Sequence, residues 1–326
     1  PAGCVFDENN QLFCSVGLLQ NQKYTEGVYV YDKSTDQFVI NSLVTAGSTQ
    51  KPIIKEGKLF IPSPYYNPGG LIISDYKNTP LSFSDDKTIL INSKNGLAAS
   101  GTVSAAIDKN DDIWVGTRLG LRILPNASNA INNTDNKAEP IVITQNGIPE
   151  ELFKDLVILQ VEVDSGNQKW VSIEGGGVFY LSSNGENTIS HFTKVNSPLP
   201  NDVVTDIKVD PKTGKVYFVT FDGIVVYQGD VINVSSDFSE IKVYPNPVVT
   251  SQYRGNVKIT GLAEKTNIRI TDAAGNVVHQ AVARGGYYEW NLNNQKGIRV
   301  ASGIYFVLMT NEDGTDKATA KIAVVN

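Results

Sequence analysis

One short pattern, repeated, constrains this chain more than anything else in it. An apolar strand with alternating residues ends in Asp, four or five turn residues follow, and a second apolar strand opens near an aromatic. The unit reads CVFDENNQLFCSV over Cys4–Val16 and SAAIDKNDDIWVGT over Ser104–Thr117. It reads QVEVDSGNQKWVSI over Gln160–Ile173 and DIKVDPKTGKVYFVT over Asp206–Thr220, with a worn copy, KPIIKEGKLFIPS, over Lys51–Ser63. The aromatic anchors are Phe13, Phe60, Trp114, Trp170 and Tyr217, roughly 50 residues apart.

Each copy continues into a Gly-led strand: Gly27–Tyr31, Gly70–Ser74, Gly120–Leu124, Gly177–Leu181 and Gly223–Tyr227. Most add a fourth β-rich run, at Phe38–Ile40, Thr88–Ile91, Ile141–Thr144 and Ile189–Phe192. Four short strands at this spacing predict β-propeller blades. A single blade cannot bury both of its faces; neighbours packed around an axis cover them. Five blades are visible, and a larger ring is expected, with its other blades lying before Pro1. The abrupt start at Pro1, with neither Met nor a signal peptide, fits a processed or truncated piece of a longer chain. No helical period is evident beyond one short turn expected over Glu150–Leu156.

The repeat ends at a polar, Ser-rich stretch, Val231–Glu240. Beyond it the strands are arranged differently: YPNP at Tyr244–Pro247, then Val257–Thr260, Asn267–Val282 with a hairpin turn at Asp272–Gly275, Tyr287–Leu292, Gly303–Thr310 and Ala318–Val325. Pro245 and Pro247 donate no backbone hydrogen bond and so belong at a sheet edge. Six or seven short strands here predict an immunoglobulin-like β-sandwich. The chain is therefore all-β, with blades over 1–238 and a sandwich over 239–326.

Composition removes some functional classes. The formal net charge is −6 over 326 residues, which gives no basic field for nucleic acid. No apolar run is long enough for a membrane-spanning helix.

Few residues suggest chemistry. Cys4 and Cys14 flank the turn Asp7–Gln11 and face each other on adjacent strands if that turn is centred on Asn9. A cross-strand disulfide and a pair of buried thiols are both compatible with that placement, the thiols being favoured. His191 and His279, the only histidines, fall in different domains, which argues against a His-based site. Asp108, Asn110 and Asp112 have calcium-loop spacing, but Ile113 and Leu119 stand where such a loop needs Gly and Glu. Because Asp7 and Asp210 recur at the same place, a turn-capping role is expected. Glu174–Gly177 reads as a tight turn between strands, since a phosphate-binding loop needs a helix after it. Trp114 and Trp170 are expected to pack between blades. Tyr287 and Tyr288 with Trp290 put aromatics on both faces of one strand, one set in the core and the other partly exposed. Tyr65 and Tyr66, in an insertion ending Asn67-Pro68-Gly69-Gly70, are the candidate ligand-binding residues, as a platform for a sugar or partner. No metal or cofactor is expected.

Two resemblances add to this. NGLAASGTVSAAIDKNDDIWVGTRLGL and SPLPNDVVTDIKVDPKTGKVYFVTFDGIVVY resemble the regulator-propeller repeats of Bacteroidetes. YPNP, TDAAGNVV, EWNLNNQKGIRVASGIYFVLM and KIAV resemble the C-terminal sorting domain of type IX secretion cargo. Trp290-Asn291-Leu292 departs from the Trp-Asp-Gly found in many relatives. The sorting resemblance singles out Tyr244, Pro245, Asn246, Pro247, Gly303, Tyr305 and Lys321.

Regulator-type blades followed by a sorting domain resemble the PorZ-like family of type IX secretion components. This resemblance implies a non-catalytic protein at the outer-membrane surface, exported through the periplasm, that assists cargo attachment. Its propeller would bind surface lipopolysaccharide or a sortase-like partner, alongside other type IX secretion proteins. Three alternatives are a secreted glycan-binding propeller exported as cargo, the sensor region of a hybrid two-component regulator, and a polysaccharide lyase or glycosidase. The last needs converging acids that the sequence does not show.

Overall fold

The computed structural model describes residues 3–15, 19–20, 23–24, 27–41, 48–64, 69–145, 147–229, 231, 234, 238, 241–253, 255–263, 265–283 and 285–326. By contact density the chain divides into two units, one of residues 1–163, 168–208 and 217–225, the other of 164–167, 209–216 and 226–326. Each is described by itself.

The repeats fold as antiparallel blades with the expected strand order. Blade one joins Cys4–Phe6, Leu12–Ser15, Val28–Asp32 and Gln37–Asn41, and blade two joins Ile53–Lys55, Lys58–Ser63, Gly70–Asp75 and Lys87–Ile91. Blade four joins Ile158–Val163, Lys169–Ile173, Gly177–Leu181 and Thr188–Phe192. Among the described residues, blades three (Thr102–Ile107, Ile113–Thr117, Gly120–Leu124) and five (Val204–Val209, Lys215–Thr220, Gly223–Gln228) have three strands each. The fourth run expected in blade three lies elsewhere. Val142–Gln145 pairs with Ile148–Glu151 in a separate hairpin. Blade three keeps only an isolated bridge from Ile123 to Glu139 at that edge. The helical turn expected over Glu150–Leu156 is likewise corrected: Glu150 and Glu151 are strand, and a non-helical turn follows. Among the described residues, helix is confined to three single turns, Phe83–Asp85, Ser93–Asn95 and Ala127–Asn129.

Strand periodicity explains why the middle strands read as continuous apolar runs. Successive side chains point to opposite faces, and in a propeller both faces meet a neighbouring blade. Leu59 and Ile61 pack with Phe13, Val28 and Val30 of blade one. Phe60, between them, packs with Ile113 and Val115 of blade three. Trp114 in turn packs with Val161, Val171 and Leu181 of blade four. Trp114 and Trp170 are thus packing residues between blades, each at most 2% exposed. Trp170 lies against Tyr180, Phe192 and Phe218. Close approach also accounts for the glycine of Trp-Val-Gly-Thr: a Cβ on Gly116 would come within 2.8 Å of Ile158 Cγ2 in blade four.

The recurring Asp caps its turn, as the sequence implied. Asp7 accepts from the backbone N–H groups of Asn9 and Gln11, at 2.9 and 2.7 Å. Asp108 accepts from Asn110 and Asp112, at 2.8 and 3.1 Å, and Asp210 from Lys212 at 2.9 Å. Two of these carboxylates also reach the next blade. Tyr76 Oη of blade two donates to Asp7 at 3.1 Å. Lys169 Nζ of blade four donates to Asp108 at 2.8 Å, both side chains being at most 1% exposed.

The second unit is a sandwich of two sheets. One joins Lys242–Tyr244, Val257–Thr260 and Tyr287–Trp290. The other runs in the order Val248–Val249, Lys317–Val325, Gly303–Thr310, Asn267–Thr271 and Val277–Val282. Between them lies a core that includes Trp290, Ile259, Ile270, Val307, Met309 and Ile322. Asp272–Gly275 is the expected hairpin turn, with Gly275 at φ +88°. One expectation for the aromatic strand is corrected. Trp290 and Tyr288 face the core, but Tyr287 on the other face is also buried, 8% exposed. It donates to Glu289, and Lys258 stands over its ring at 5.9 Å.

The Asp108–Lys169 pair yields a prediction with a definite sign. Burial alone would raise the Asp108 pKa, but hydrogen bonds from Lys169, the Asp112 backbone and Trp114, with the Lys169 charge, hold it below the usual carboxylate value. Its contribution to stability is therefore complete above about pH 4 and fades as pH falls through the depressed pKa. Asp108→Asn leaves Lys169 buried without its anion, at a cost of about 3–5 kcal/mol at neutral pH. Urea unfolding should show that gap at pH 7 and a smaller gap below about pH 4.

Candidate functional site

The innermost strand of every blade borders one cavity of about 440 Å³. That volume falls in the range of small-ligand sites. Alternation along these strands sorts the lining. In Gln160-Val161-Glu162 and Asp206-Ile207-Lys208 the polar residues border the cavity, while Val161 and Ile207 are buried, at most 1% exposed. Across the wall between blades four and five, Lys208 Nζ meets Glu162 at 2.5 Å and Gln160 Nε2 donates to Asp206 at 3.2 Å. Gln50 and Ser104 extend the polar lining from blades two and three. Glu162 and Asp206 are matched in number by two lysines, Lys51 and Lys208, and these charges sit beside amides and hydroxyls and beside apolar residues such as Val5, Ile54 and Leu159. Such a mixed lining, with its charges matched, suits an uncharged group with polar and apolar faces better than a strongly charged one.

Sequence reasoning did not single out these positions. The signal was present as Q-x-E and D-x-K at matched places in two copies of the repeat. It looked like the exposed half of a strand because which copies enclose a common axis is a tertiary fact. The preferred sequence candidates, Tyr65 and Tyr66, lie outside the described residues.

The other sequence candidates take these positions. Asp108 directs one carboxylate oxygen to its own turn and the other to Trp114 Nε1 and Lys169 Nζ, at 3.1 and 2.8 Å. Both oxygens are thus engaged within the fold. Among the described residues no group of three or more His, Cys, Asp or Glu could hold a metal. His191 is exposed, its ring stacked on Phe179 and its Nε2 donating to the Gly176 carbonyl at 2.7 Å. His279 Nε2 lies 2.6 Å from Tyr288 Oη, and burial lowers its pKa. Glu174–Gly177 is the tight turn expected, joining the second and third strands of blade four. Cys4 and Cys14 do face each other in register, but only Cys14 is buried; both thiols are free.

The residues of the sorting resemblance divide between surface and core. Tyr244 ends an edge strand of one sheet, and Val248 opens an edge strand of the other. The YPNP run therefore carries the chain from sheet to sheet. Both of its prolines sit at the edges, where no donor is required. Asn246 takes the place of the backbone bonds missing there: its Nδ2 donates to the Lys321 carbonyl at 2.8 Å and its Oδ1 accepts from the Ala323 N–H at 3.0 Å. Tyr305 is buried against Trp290, its hydroxyl donating to Ala301 O at 2.8 Å. Gly303 and Lys321 are exposed, with Lys321 Nζ 5.7 Å from the Phe306 ring.

Comparison with known proteins bears on both units. Residues 242–325 match the family described as the secretion system C-terminal sorting domain. The chain has a PorZ-like fold. PorZ is an essential bacterial surface component of the type IX secretion system of Porphyromonas gingivalis. The likeness has a TM-score of 0.64 at 24% identity, covering 99% of this chain and 44% of that one. The chain thus spans less than half of PorZ. The extracellular domain of a putative hybrid two-component system from B. thetaiotaomicron is similar at 14% identity and a TM-score of 0.40, covering 100% of this chain and 50% of that one. A gluconolactonase of Xanthomonas campestris is similar at 12% identity and a TM-score of 0.45, covering 69% and 70%. No curated protein matches the sequence. Among the described residues, no helix is long and apolar enough to cross a membrane.

Asn246 carries the prediction here. Asn246→Ala removes two hydrogen bonds to the last strand, at a cost of about 1 kcal/mol. Hydrogen exchange should rise at Lys321–Val324 before it rises at Ile268–Ile270.

Proposed function

We propose that this chain is a non-catalytic component of the type IX secretion pathway at the outer-membrane surface, with residues 1–238 as its binding propeller and 239–326 as its sorting domain. On this reading the sandwich directs export, through the surface formed around Tyr244–Pro247, Gly303 and Lys321. The propeller holds the saccharide of surface lipopolysaccharide, or a sortase-like partner, while cargo is attached. The observation that carries the reading is the combination in one chain: a PorZ-like fold with a match to the sorting family over residues 242–325. The cavity whose wall includes Gln160, Glu162, Asp206 and Lys208 is where a sugar would be bound. Tyr65 and Tyr66 are the proposed aromatic residues for stacking on a sugar or contacting a partner. A second reading, a glycan-binding propeller exported as ordinary cargo, draws on the same cavity and the same sorting match.

The chain, immobilised and exposed to lipopolysaccharide extract, is expected to retain lipopolysaccharide. Free polysaccharide should compete it off. The double variant Gln160→Ala/Glu162→Ala should bind about tenfold more weakly, the loss of roughly 1.4 kcal/mol of polar contact. Retention of neither lipopolysaccharide nor a sortase-like protein would overturn the attachment role. Retention of free glycan alone would favour the cargo reading.

A further inference from the structure

The first blade holds its two cysteines directly opposite each other. Cys4 pairs with Cys14, Val5 with Phe13 and Phe6 with Leu12. The hydrogen bonds fix which kind of pair each one is. Ser15 N donates to Gly3 O at 2.8 Å, and Asp7 N donates to Gln11 O at 3.0 Å. Hydrogen-bonded and non-hydrogen-bonded pairs alternate along an antiparallel ladder. Gly3/Ser15 and Asp7/Gln11 are hydrogen-bonded pairs, so Cys4/Cys14 is a non-hydrogen-bonded pair. At such a pair the Cα atoms approach to about 4.5 Å and both side chains project from one face. A disulfide spans Cα separations from about 4.4 Å upward, so no backbone shift is needed to close one.

The two thiols differ in access. Cys4 is exposed, whereas Cys14 is 5% exposed. Burial first, then a hydrogen bond with Cys4, pushes the Cys14 thiol up to about 12. An oxidant therefore meets Cys4 first, and Cys14 waits beside it. The strand carrying Cys4 is three residues long, and its Val5 borders the axial cavity. A bond at this position would fasten that wall of the cavity to the second strand of the blade.

We infer that Cys4 and Cys14 form a redox-active pair that closes to a cross-strand disulfide when the folded chain meets a disulfide oxidant. The Cys4 thiolate attacks one sulfur of the oxidant's disulfide and releases the other as a thiolate. Cys14 gives up its proton to that thiolate and attacks the Cys4 sulfur, expelling the oxidant's second thiolate, which takes up the Cys4 proton. Two chain thiols are oxidised to one disulfide, and one oxidant disulfide is reduced to two thiols. A disulfide confined to one hairpin closes a short loop, so its main effect is local: it holds the innermost strand of blade one in register.

The test uses the full chain, first reduced and then equilibrated with oxidised glutathione. Maleimide labelling after unfolding should find no free thiol in the oxidised chain and two after reduction. The oxidised chain should remain a monomer on non-reducing gels. Hydrogen exchange at Val5 and Asp7, whose N–H groups belong to the hydrogen-bonded pairs of this hairpin, should slow on oxidation in the native chain and be unchanged by the same treatment in Cys14→Ser. Cys4→Ser should leave Cys14 unlabelled while folded and labelled once unfolded. Two labelled thiols after oxidation, or disulfides only between chains, would overturn the inference. So would rapid modification of Cys14 in folded Cys4→Ser, since Cys14 would then not be the shielded partner.

Discussion

A lysine with no solvent exposure needs an anion, and Lys169 finds one in a different blade. Its partner, Asp108, is the residue the repeat already requires for its turn. One carboxylate oxygen closes the turn of blade three and the other binds Trp114 and Lys169. Local turn chemistry and packing between blades thus share a side chain. Asp7 makes the same double use of its carboxylate, with Tyr76 of blade two as donor. Where the turn Asp also reaches across, as Asp7 and Asp108 do, the turn of one blade is tied to packing against the next. Near-neighbour coupling of this kind is what a chain of repeats depends on.

The cavity follows from the same constraint. Once Trp114, Val161 and Val171 are packed between blades, every second residue of the inner strands must turn the other way. There the sequence places Gln160, Glu162, Asp206 and Lys208 in blades four and five, beside apolar residues such as Val5, Ile54 and Val103 from other blades. Cross-blade pairing of Glu162 with Lys208 and of Gln160 with Asp206 joins these polar groups along one wall of a mixed lining.

Much of this architecture was legible in the sequence, because strand periodicity and turn chemistry are local. The Asp turns, the Gly-led third strands, the interblade tryptophans and the strands of the sandwich are all read from neighbours within a few residues. The errors came where partners are distant. Val142–Gln145 has the composition of a fourth blade strand, yet it pairs with Ile148–Glu151. Its apolar content could not say which edge it would join. Tyr287 looked half exposed because Lys258, which stands over its ring, comes from a neighbouring strand. Of the candidate site, Asn246 was visible as a motif member, but not as the group that satisfies the edge of the last strand. The cavity wall was invisible for the same reason: no spacing in one dimension reveals that Glu162 and Lys208 face each other.

The central claim is that a binding propeller is delivered to the cell surface by the sandwich that follows it. The most direct measurement compares the full chain with one ending at residue 238, both expressed with an export signal in a bacterium that has a type IX system. Protease added to intact cells should digest the full chain and spare the shortened one, which should accumulate in the periplasm. Equal surface exposure of the two, or retention of both in the periplasm, would contradict the account.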